Sequence, residues 1–575
     1  MQTNVSEDAL EGSALAPPRR RVIAFGVAIV AAILGYVVAP QPWPTGPAQI
    51  EVLRDGTVAA SGTLELGGEA PQSVALTSGA LGGTVELPDG TLVDAPFSLT
   101  YTPSVEATAD VGSLTVQLVL PDGRVEPIPV TRTDADAGTL QALRRPPNGS
   151  GAALALLGAV VVLWVTEAVP LFVTSLAIPV LLVIAGAGDA KAALAPFFDP
   201  VIVLFFGGFL MAEAMRRTGL DHLAAISIVA RAGRSPVTLF LAMIGVSAFL
   251  SMWMSNTAAA TICLPIALAV TEPLRSIGYR RAVVLGIAYA ATVGGVGSAI
   301  GTPANPLAIK FLGDFVGRDF TFVEWFAVGL PMMLTFLPIM AAWLWWRMRA
   351  KPDATLFAEA RRVARDELVD AGRPTRDQVI VLVVFGGVVA AWLTESWHGL
   401  DTGIVALAGA VMLALLGKVL PEDLGRISWA SLLTFGGGLT LGLFLLSSGT
   451  SDWIATRLGG LADIPPPLAI GVIATVTLGL TMVASNTATA AMLVPLAIPL
   501  AAITGVDPVT LVLVVAIASS IDFALVIGTP PTLLAYSTRL FTPAQIFRVG
   551  IFLDLAGILL LSAVVVWIWQ LLGVT

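Results

Sequence analysis

Long apolar runs separated by short polar breaks fill the chain from residue 151 to its end. A run of about 20 apolar residues is long enough to cross a lipid bilayer as a helix. The predicted spans are 151–169, 171–187, 200–216, 281–314, 325–347, 377–395, 401–420, 428–448, 508–540 and 546–573. With an N-terminal run at 22–39, the pattern predicts about eleven transmembrane helices, and two of these (281–314 and 508–540) are long enough to be broken helices.

Two further apolar stretches, 236–272 and 464–503, carry a polar tripeptide at their centres. Ser255, Asn256 and Thr257 interrupt the first stretch, and the second is interrupted by the same three residue types at 485–487. Each half is about one span long. Such a stretch can enter the membrane and return as a re-entrant hairpin if other parts of the protein cover its tip.

Residues 41–148 follow a different pattern, with short alternating segments such as "GTVAASGTLEL" and "GSLTVQLVL". The turn signal "LPDG" occurs at 87–90 and again at 120–123. Alternation bounded by turn residues predicts strands. We therefore expect a small all-β, sandwich-like domain outside the membrane, either structural or contacting an unknown partner.

Four sequence blocks occur twice, in the same order, at offsets of 227 to 230 residues. The pairs are "WVTE" at 164 with "WLTE" at 392, "FGGF" at 206 with "FGGG" at 435, "SNTAAA" at 255 with "SNTATA" at 485, and "IGTP" at 300 with "IGTP" at 527. Four blocks in register indicate an internal duplication.

The distribution of charge predicts how the segments are oriented. Arginines at 19–21 place the N-terminus in the cytoplasm, and arginines flank the first hairpin whereas aspartates are frequent around the second. A cleaved signal peptide is the rival interpretation of the first run. The first hairpin then opens from the cytoplasm and the second from outside, as in an inverted repeat.

The expected segments are a cytoplasmic tail 1–21, a transmembrane helix 22–40, an extracytoplasmic β-rich domain 41–148, transport repeat 149–350, a cytoplasmic linker 351–376 and transport repeat 377–575.

Composition agrees with an all-α polytopic membrane protein of the cell inner (plasma) membrane. The 575 residues are 56% hydrophobic and only 12% charged, about half the charge of soluble chains. The chain has no basic patch with interleaved aromatics, which argues against nucleic acid. We find no nucleophile–base pair, metal cluster or phosphate loop, so an enzyme is not expected.

The duplicated polar motifs suggest how an anion and a cation would bind. Each hairpin tip exposes a helix N-terminus, and two such ends could hold an anion with two negative groups. The Gly-Thr-Pro turns at 301–303 and 528–530 would offer backbone carbonyls suited to sodium. Asp522 lies in a span and is either functional or a structural hydrogen-bonding group, while Glu167 and Glu395 are interpreted as structural.

These motifs resemble those of the divalent-anion/sodium symporter family over about 150–575. The resemblance implies a homodimer that works as an elevator, with sodium ions and a small dianionic substrate crossing the bilayer. It implies one sodium site at Ser251, Ser255, Asn256 and Gly301 and another at Thr481, Ala484, Asn486, Gly528 and Pro530. The substrate is expected to contact Ser255, Asn256, Thr257, Ser485, Asn486 and Thr487, with Pro303 and Pro530 nearby. Thr532 and Val526 depart from the family pattern, which bears on substrate identity.

The leading interpretation is sodium-coupled symport of a C4 dicarboxylate such as succinate. An anion exchanger, or a sulfate or citrate carrier, would have the same fold. A membrane sensor with a ligand-binding β-domain is a distant alternative, because a signalling bundle has no need of duplicated interruptions.

Overall fold

The computed structural model describes residues 18–38, nine strands between 46 and 143, and residues 150–575 except 233–234, 351–356 and 462–463. These residues form two compact units. The larger contains Val160–Gly442 and Gly460–Thr575, and the smaller contains Ile29–Ala159 and Leu443–Gly459. The predicted cytoplasmic tail lies outside the described residues as far as residue 17, and the predicted linker does so from 351 to 356.

Helices make up most of the described chain. The first eleven are α1 (Pro18–Val38), α2 (Ser150–Thr166), α3 (Leu171–Ile184), α4 (Ala190–Leu194), α5 (Pro200–Thr218), α6 (Leu220–Ala232), α7 (Pro236–Ser251), α8 (Asn256–Thr271), α9 (Ile277–Val296), α10 (Ala304–Val316) and α11 (Phe322–Arg347). The others are α12 (Phe357–Ala371), α13 (Arg376–Leu393), α14 (Glu395–His398), α15 (Thr402–Leu415), α16 (Trp429–Ser447), α17 (Thr450–Arg457), α18 (Pro466–Thr481), α19 (Asn486–Thr504), α20 (Pro508–Ala518), α21 (Pro530–Ser537), α22 (Pro543–Leu560) and α23 (Val566–Leu571).

The prediction of about eleven transmembrane helices is wrong. Within the described residues, seven helices are long and apolar enough to cross a membrane. They are Ala190–Thr218, Asn256–Leu274, Phe322–Arg347, Arg376–Leu393, Trp429–Ser447, Asn486–Thr504 and Pro543–Leu571. Hydropathy overcounted because several predicted spans contain apolar helices of only 10–17 residues, among them Gly151–Thr166, Leu171–Ile184 and Thr402–Leu415. The run at 508–540, which was expected to be broken, is divided into α20 and α21, of 11 and 8 residues, with an irregular break between them.

The prediction of a separate all-β domain is also wrong. Nine strands are present in two antiparallel sheets, ordered β2-β1-β6-β7 and β5-β4-β3-β9-β8. Their bounds are β1 (Gly46–Arg54), β2 (Thr57–Leu66), β3 (Ser73–Leu76), β4 (Gly83–Glu86), β5 (Leu92–Ala95), β6 (Leu114–Val119), β7 (Val125–Ile128), β8 (Val130–Asp134) and β9 (Thr139–Leu143). The smaller compact unit combines them with helical segments at 29–38, 150–159 and 450–457, so it is a mixed unit.

Close packing of α1 on α2 explains why helices belong to the smaller unit. A Cβ added to Gly35 would lie 2.5 Å from the Leu154 carbonyl oxygen, and one added to Gly158 would lie 2.9 Å from that of Ala31. Glycines at such crossings let two helix backbones approach closely. The boundary of the unit therefore depends on helix packing as well as on the strands.

Helices α9 and α20 form the centre of the larger unit. Every residue from Ala282 to Val296 is buried, and so is every residue from Val509 to Ala518. Neighbouring helices therefore surround both on all sides, as expected of helices in the core of a large protein. Both helices end in an irregular break, 297–303 after α9 and 519–529 after α20, and these two breaks carry part of the candidate site.

Candidate functional site

The tip of the first hairpin exposes the beginning of helix α8. α7 and α8 pack against each other, and α8 begins at Asn256 with Ser255 as its N-cap. Ser255 Oγ accepts a hydrogen bond from the Ala258 N–H at 3.3 Å. Other N–H groups of the first turn have no partner within the helix, and they carry the positive end of the helix dipole. The tip can therefore attract an anion.

The second hairpin repeats this geometry. α19 begins at Asn486, and Ser485 Oγ accepts a hydrogen bond from the Ala488 N–H at 3.1 Å. Ser in the cap position leaves the following Asn and Thr in the first turn of the helix. In both repeats, the Ser-Asn-Thr motif therefore caps the N-terminus of a helix within an otherwise apolar segment.

Behind each hairpin tip, several side-chain and backbone oxygens lie close together, with few hydrogen-bond donors among them. Ser251 Oγ donates to Asn256 Oδ1 at 2.7 Å in the first repeat. In the second, Thr481 Oγ1 lies 2.9 Å from Asn486 Oδ1 and 2.7 Å from the Ser519 carbonyl oxygen. A hydroxyl has only one hydrogen to donate, so at least one of these oxygens keeps a free lone pair. An excess of oxygen acceptors suits a hard cation.

Asn305 holds the first break in place. Its Nδ2 donates to the carbonyl oxygens of Gly295 at 2.9 Å and Ser298 at 2.7 Å, and its Oδ1 is buried without a partner among the described residues. Ser298 Oγ donates to the Met252 carbonyl oxygen, which ties the break to the hairpin tip. A Cβ added to Gly295 would lie 2.4 Å from Asn256 Oδ1, so the last turn of α9 lies directly against the hairpin tip.

The second break is held from another helix. Asp554, on α22, accepts hydrogen bonds from the N–H groups of Phe523 at 2.9 Å and Ala524 at 3.1 Å. Tyr289 Oη on α9 donates to the Phe523 carbonyl oxygen at 2.8 Å. Thr532 occupies the position equivalent to Asn305, and its hydroxyl contacts that of Thr529 at 2.8 Å. The Asp554 carboxylate therefore holds the backbone of the second break by hydrogen bonds, as the Asn305 amide does in the first repeat.

One cavity of about 630 Å³ is lined by both hairpin tips and both Gly-Thr-Pro turns. The predicted site residues on its wall are Ser255, Asn256, Thr257, Gly301, Pro303, Ser485, Asn486, Thr487, Gly528 and Pro530. The other three, Ser251, Thr481 and Ala484, are buried outside the wall. Among the described residues, the wall contains no charged side chain.

Sequence reasoning missed several residues of this site. Phe205 and Phe209 on α5 and Ser431 and Thr434 on α16 also line the cavity. They lie in or beside the duplicated "FGGF" and "FGGG" blocks, which showed the repeat but were not assigned to the site. Asn305 was missed as well. Its counterpart Thr532 was noted as a departure, and that departure was the available signal.

Glu395, which the sequence analysis interpreted as structural, and Lys310 both have partners outside the cavity. Lys310 Nζ lies 3.1 Å from carboxylate oxygens of both Asp199 and Asp314. Glu395 Oε2 accepts from the Phe322 N–H at 3.1 Å, at the beginning of α11. Neither residue lines the cavity.

Comparison with known proteins places this architecture in a family. A family model described as a citrate transporter matches residues 161–502 and 390–574. A relative from Haemophilus influenzae named as an uncharacterized transporter is 31% identical, over 74% of this chain and 92% of its own length. Two proteins named sodium-dependent dicarboxylate transporter SdcS cover 70% of this chain and 83% of their own length. They are 31% identical in Staphylococcus saprophyticus and 30% identical in Staphylococcus aureus strain MRSA252.

These matches cover the apolar helices, both hairpins and both breaks. They confirm the resemblance seen in the motifs, and with the apolar helices they make the protein a multi-pass membrane protein. The function is transport and not catalysis, and the chain belongs to the citrate transporter family of membrane transporters.

Proposed function

We propose that this protein moves a C4 dicarboxylate such as succinate across the cell inner membrane together with sodium ions. The observation that carries the proposal is that the N-termini of α8 and α19 line the same cavity. A dicarboxylate has two negative ends, and each end can meet N–H groups and hydroxyls of one Ser-Asn-Thr motif. Both SdcS relatives are named as sodium-dependent dicarboxylate transporters, which favours the same substrate class.

The charge of the cavity wall supports coupling to cations. A dianion has to lose most of its water to enter a cavity at membrane depth, which is costly unless opposite charge is near. The described wall offers helix dipoles but no basic side chain. Sodium ions held near the cavity would supply the missing positive charge, so ion and substrate would bind cooperatively.

We assign the sodium ions to the two oxygen clusters behind the tips. In the first repeat the proposed ligands are Ser251, Ser255, Asn256 and Gly301. In the second they are Thr481, Ala484, Asn486, Gly528 and Pro530. The support is the oxygen-rich, hydrogen-poor arrangement at each hairpin tip. Backbone and side-chain oxygens at interrupted helices are the usual sodium ligands in secondary transporters.

An elevator movement of this region fits the bonds that join the two repeats. Tyr289 on α9 is bonded to Phe523 in the second break, and Thr302 Oγ1 lies 3.4 Å from Ser520 Oγ, linking one break to the other. Buried polar contacts of this kind are costly to separate. The hairpins and breaks would therefore move as one body relative to a scaffold, and we expect the scaffold to form a homodimer.

Equivalent positions near the beginnings of the two hairpins should face opposite sides of the membrane. Val237 on α7 and Pro467 on α18 are equivalent in the repeat, and both are exposed. In a Cys263→Ala background, Val237→Cys should react with an impermeant maleimide only from the cytoplasm and Pro467→Cys only from outside. The native Cys263 is buried, which keeps background labelling low. Labelling of both positions from one side would contradict the proposed orientation.

Thr487→Val should weaken dicarboxylate binding without unfolding the protein. The substitution keeps the shape of a residue on the cavity wall and removes its hydroxyl. A hydrogen bond to a charged group contributes about 1.5–3 kcal/mol, so the half-saturating succinate concentration should rise roughly tenfold to hundredfold. Uptake of labelled succinate into proteoliposomes measures it.

Thr475→Val is the matched control for Thr487→Val. Thr475 lies on α18 of the same hairpin, outside the cavity, and its hydroxyl is bonded to the Gly471 carbonyl oxygen. Unlabelled succinate, lactate and sulfate should be compared as competitors in the wild type and in both variants. Equal competition by lactate would contradict a site for two carboxylates. Competition by sulfate alone would make the protein a sulfate carrier.

A further inference from the structure

Asp522 is a buried carboxylate in the second break, and it has no role in the transport mechanism proposed above. Its side chain is fully buried, and neither carboxylate oxygen has a hydrogen-bond partner in the described part of the chain. The N–H groups of Ala524 and Leu525 are near it but do not reach hydrogen-bond geometry. Burying a carboxylate without a hydrogen-bond partner inside a membrane protein costs free energy, which points to a bound ligand that pairs with it.

The carboxylate lies directly against a proposed sodium ligand. A Cβ added to Gly528 would lie only 1.8 Å from Asp522 Oδ2 and 2.8 Å from its Oδ1. No atom can occupy that position, so the absence of a side chain at Gly528 is what lets the carboxylate reach the Gly-Thr-Pro turn. Gly528 itself lines the cavity.

The position equivalent to Asp522 in the first repeat lies beside the first oxygen cluster. The equivalent residue of the first repeat is Gly295, at the same offset of 227 as the paired Gly-Thr-Pro turns. A Cβ added to Gly295 would lie 2.4 Å from Asn256 Oδ1 and 3.0 Å from the Gly301 carbonyl oxygen. A side chain at Gly295 would enter the first oxygen cluster, and in the second repeat the side chain at the equivalent position, Asp522, lies against Gly528.

The neighbouring acid does not compete for this role. Both carboxylate oxygens of Asp554 already accept backbone N–H groups, from Phe523 and Ala524. The hydroxyl of Tyr289 donates to the Phe523 carbonyl oxygen and is likewise engaged. Of the two buried acids at the break, Asp522 is the one whose carboxylate oxygens have no hydrogen-bond partner among the described residues.

We propose that Asp522 is a direct ligand of the sodium ion in the second repeat. The inference rests on the proposed sodium coupling and makes the two ion sites chemically different. The first site is built from neutral oxygens, whereas the second adds a full negative charge. Charged ligands bind hard cations more strongly than neutral ones, so the second site should fill at lower sodium concentration.

Sodium-dependent stabilisation of the purified full-length protein tests the inference directly. A ligand that binds only the folded state stabilises it by RT ln(1 + [L]/Kd), so the rise of the unfolding temperature with sodium concentration gives the half-saturating concentration Kd. Unfolding is measured against sodium concentration, with choline chloride keeping the ionic strength constant. Asp522→Asn should raise the half-saturating sodium concentration at least tenfold, and Asp522→Glu, which keeps the charge, should recover part of that loss.

A double-mutant cycle locates the effect. If Asp522 and Asn486 hold the same ion, Asp522→Asn and Asn486→Ala together should shift the half-saturating concentration by less than the product of their separate shifts. Asp522→Asn combined with Asn256→Ala, in the other repeat, should give the full product. Asp423→Asn is the control for removing a buried acid, since Asp423 pairs with Arg217 at 3.1 Å outside the cavity. It should lower the unfolding temperature and leave the sodium dependence unchanged.

Three outcomes would overturn the assignment. If Asp522→Asn lowers the unfolding temperature but leaves the half-saturating sodium concentration within twofold of the wild type, Asp522 is only structural. Full independence from Asn486→Ala would also remove it from the second site. If wild-type stability and uptake are the same in sodium and in choline, the proposed symport itself fails and this assignment fails with it. Should Asp522→Asn not fold, Asp522→Ser removes the charge in less space and is judged by the same criterion.

Discussion

Gly301→Ala should reduce sodium-driven uptake by roughly a hundredfold or more. The added Cβ would lie 2.3 Å from the Gly295 carbonyl oxygen and 2.8 Å from its Cα, which are backbone atoms that cannot rotate away. Relieving such overpacking costs about 1–3 kcal/mol or more and requires the break to move. The movement would displace the Gly301 carbonyl and the contact with Asn256 together. Uptake of labelled succinate, with protein amount in the liposomes as reference, measures the loss.

Gly245→Ala is the control for this substitution. Gly245 lies on α7 of the adjoining hairpin, and an added Cβ there would meet no atom within 4 Å. Alanine is favoured over glycine inside a helix by about 1 kcal/mol, so this variant should transport at the wild-type rate or slightly above it. Wild-type uptake by Gly301→Ala would mean that the first break does not hold a transported ion.

Asn486→Ala and Asn256→Ala should each raise the sodium concentration needed for half-maximal uptake. Each substitution removes the amide oxygen that contacts Thr481 or Ser251, and so removes one cation-coordinating atom from a desolvated cluster. The loss should be about 1–3 kcal/mol, or roughly fivefold to a hundredfold in sodium concentration. Initial uptake rates over a sodium series at fixed succinate give the value.

Ser247→Ala controls for the loss of a buried hydrogen bond in the same hairpin. Its hydroxyl donates to the Ile287 carbonyl oxygen at 2.8 Å, away from the tip. It should reduce stability by about 1 kcal/mol and leave the sodium dependence of uptake unchanged. Transport that proceeds equally in choline, with or without the asparagine substitutions, would replace sodium symport with anion exchange.

Local sequence signals predicted the parts of the site that are local in the chain. Ser255 and Ser485 are N-caps because a short side-chain oxygen can bond the third residue of the following helix, and this depends on four neighbouring residues only. Glycine and proline in the matched turns predicted interruptions because neither favours a continuous helix. The paired blocks then indicated that both tips serve the same purpose.

The partners that hold the site could not be predicted because they are distant in sequence. Tyr289 contacts Phe523 across 234 residues. Nothing in the run around Asp554 distinguishes a carboxylate that binds two backbone N–H groups from any other acid in an apolar helix. Hydropathy failed on the number of spans for a related reason. It measures how apolar a run is, whereas the length of the helix within the run, such as the 14 residues of Thr402–Leu415 in the predicted span 401–420, also depends on tertiary packing.

The different bracing of the two breaks has a consequence for biosynthesis. Asn305 follows Gly295 and Ser298 by ten and seven residues, so its bonds to them can form while the ribosome is still translating the second repeat. The bonds of the second break need Asp554, which follows Phe523 by 31 residues and lies on the penultimate helix. A nascent chain that is truncated before α22 would therefore have the Asn305 bonds of the first break but lack the Asp554 bonds of the second.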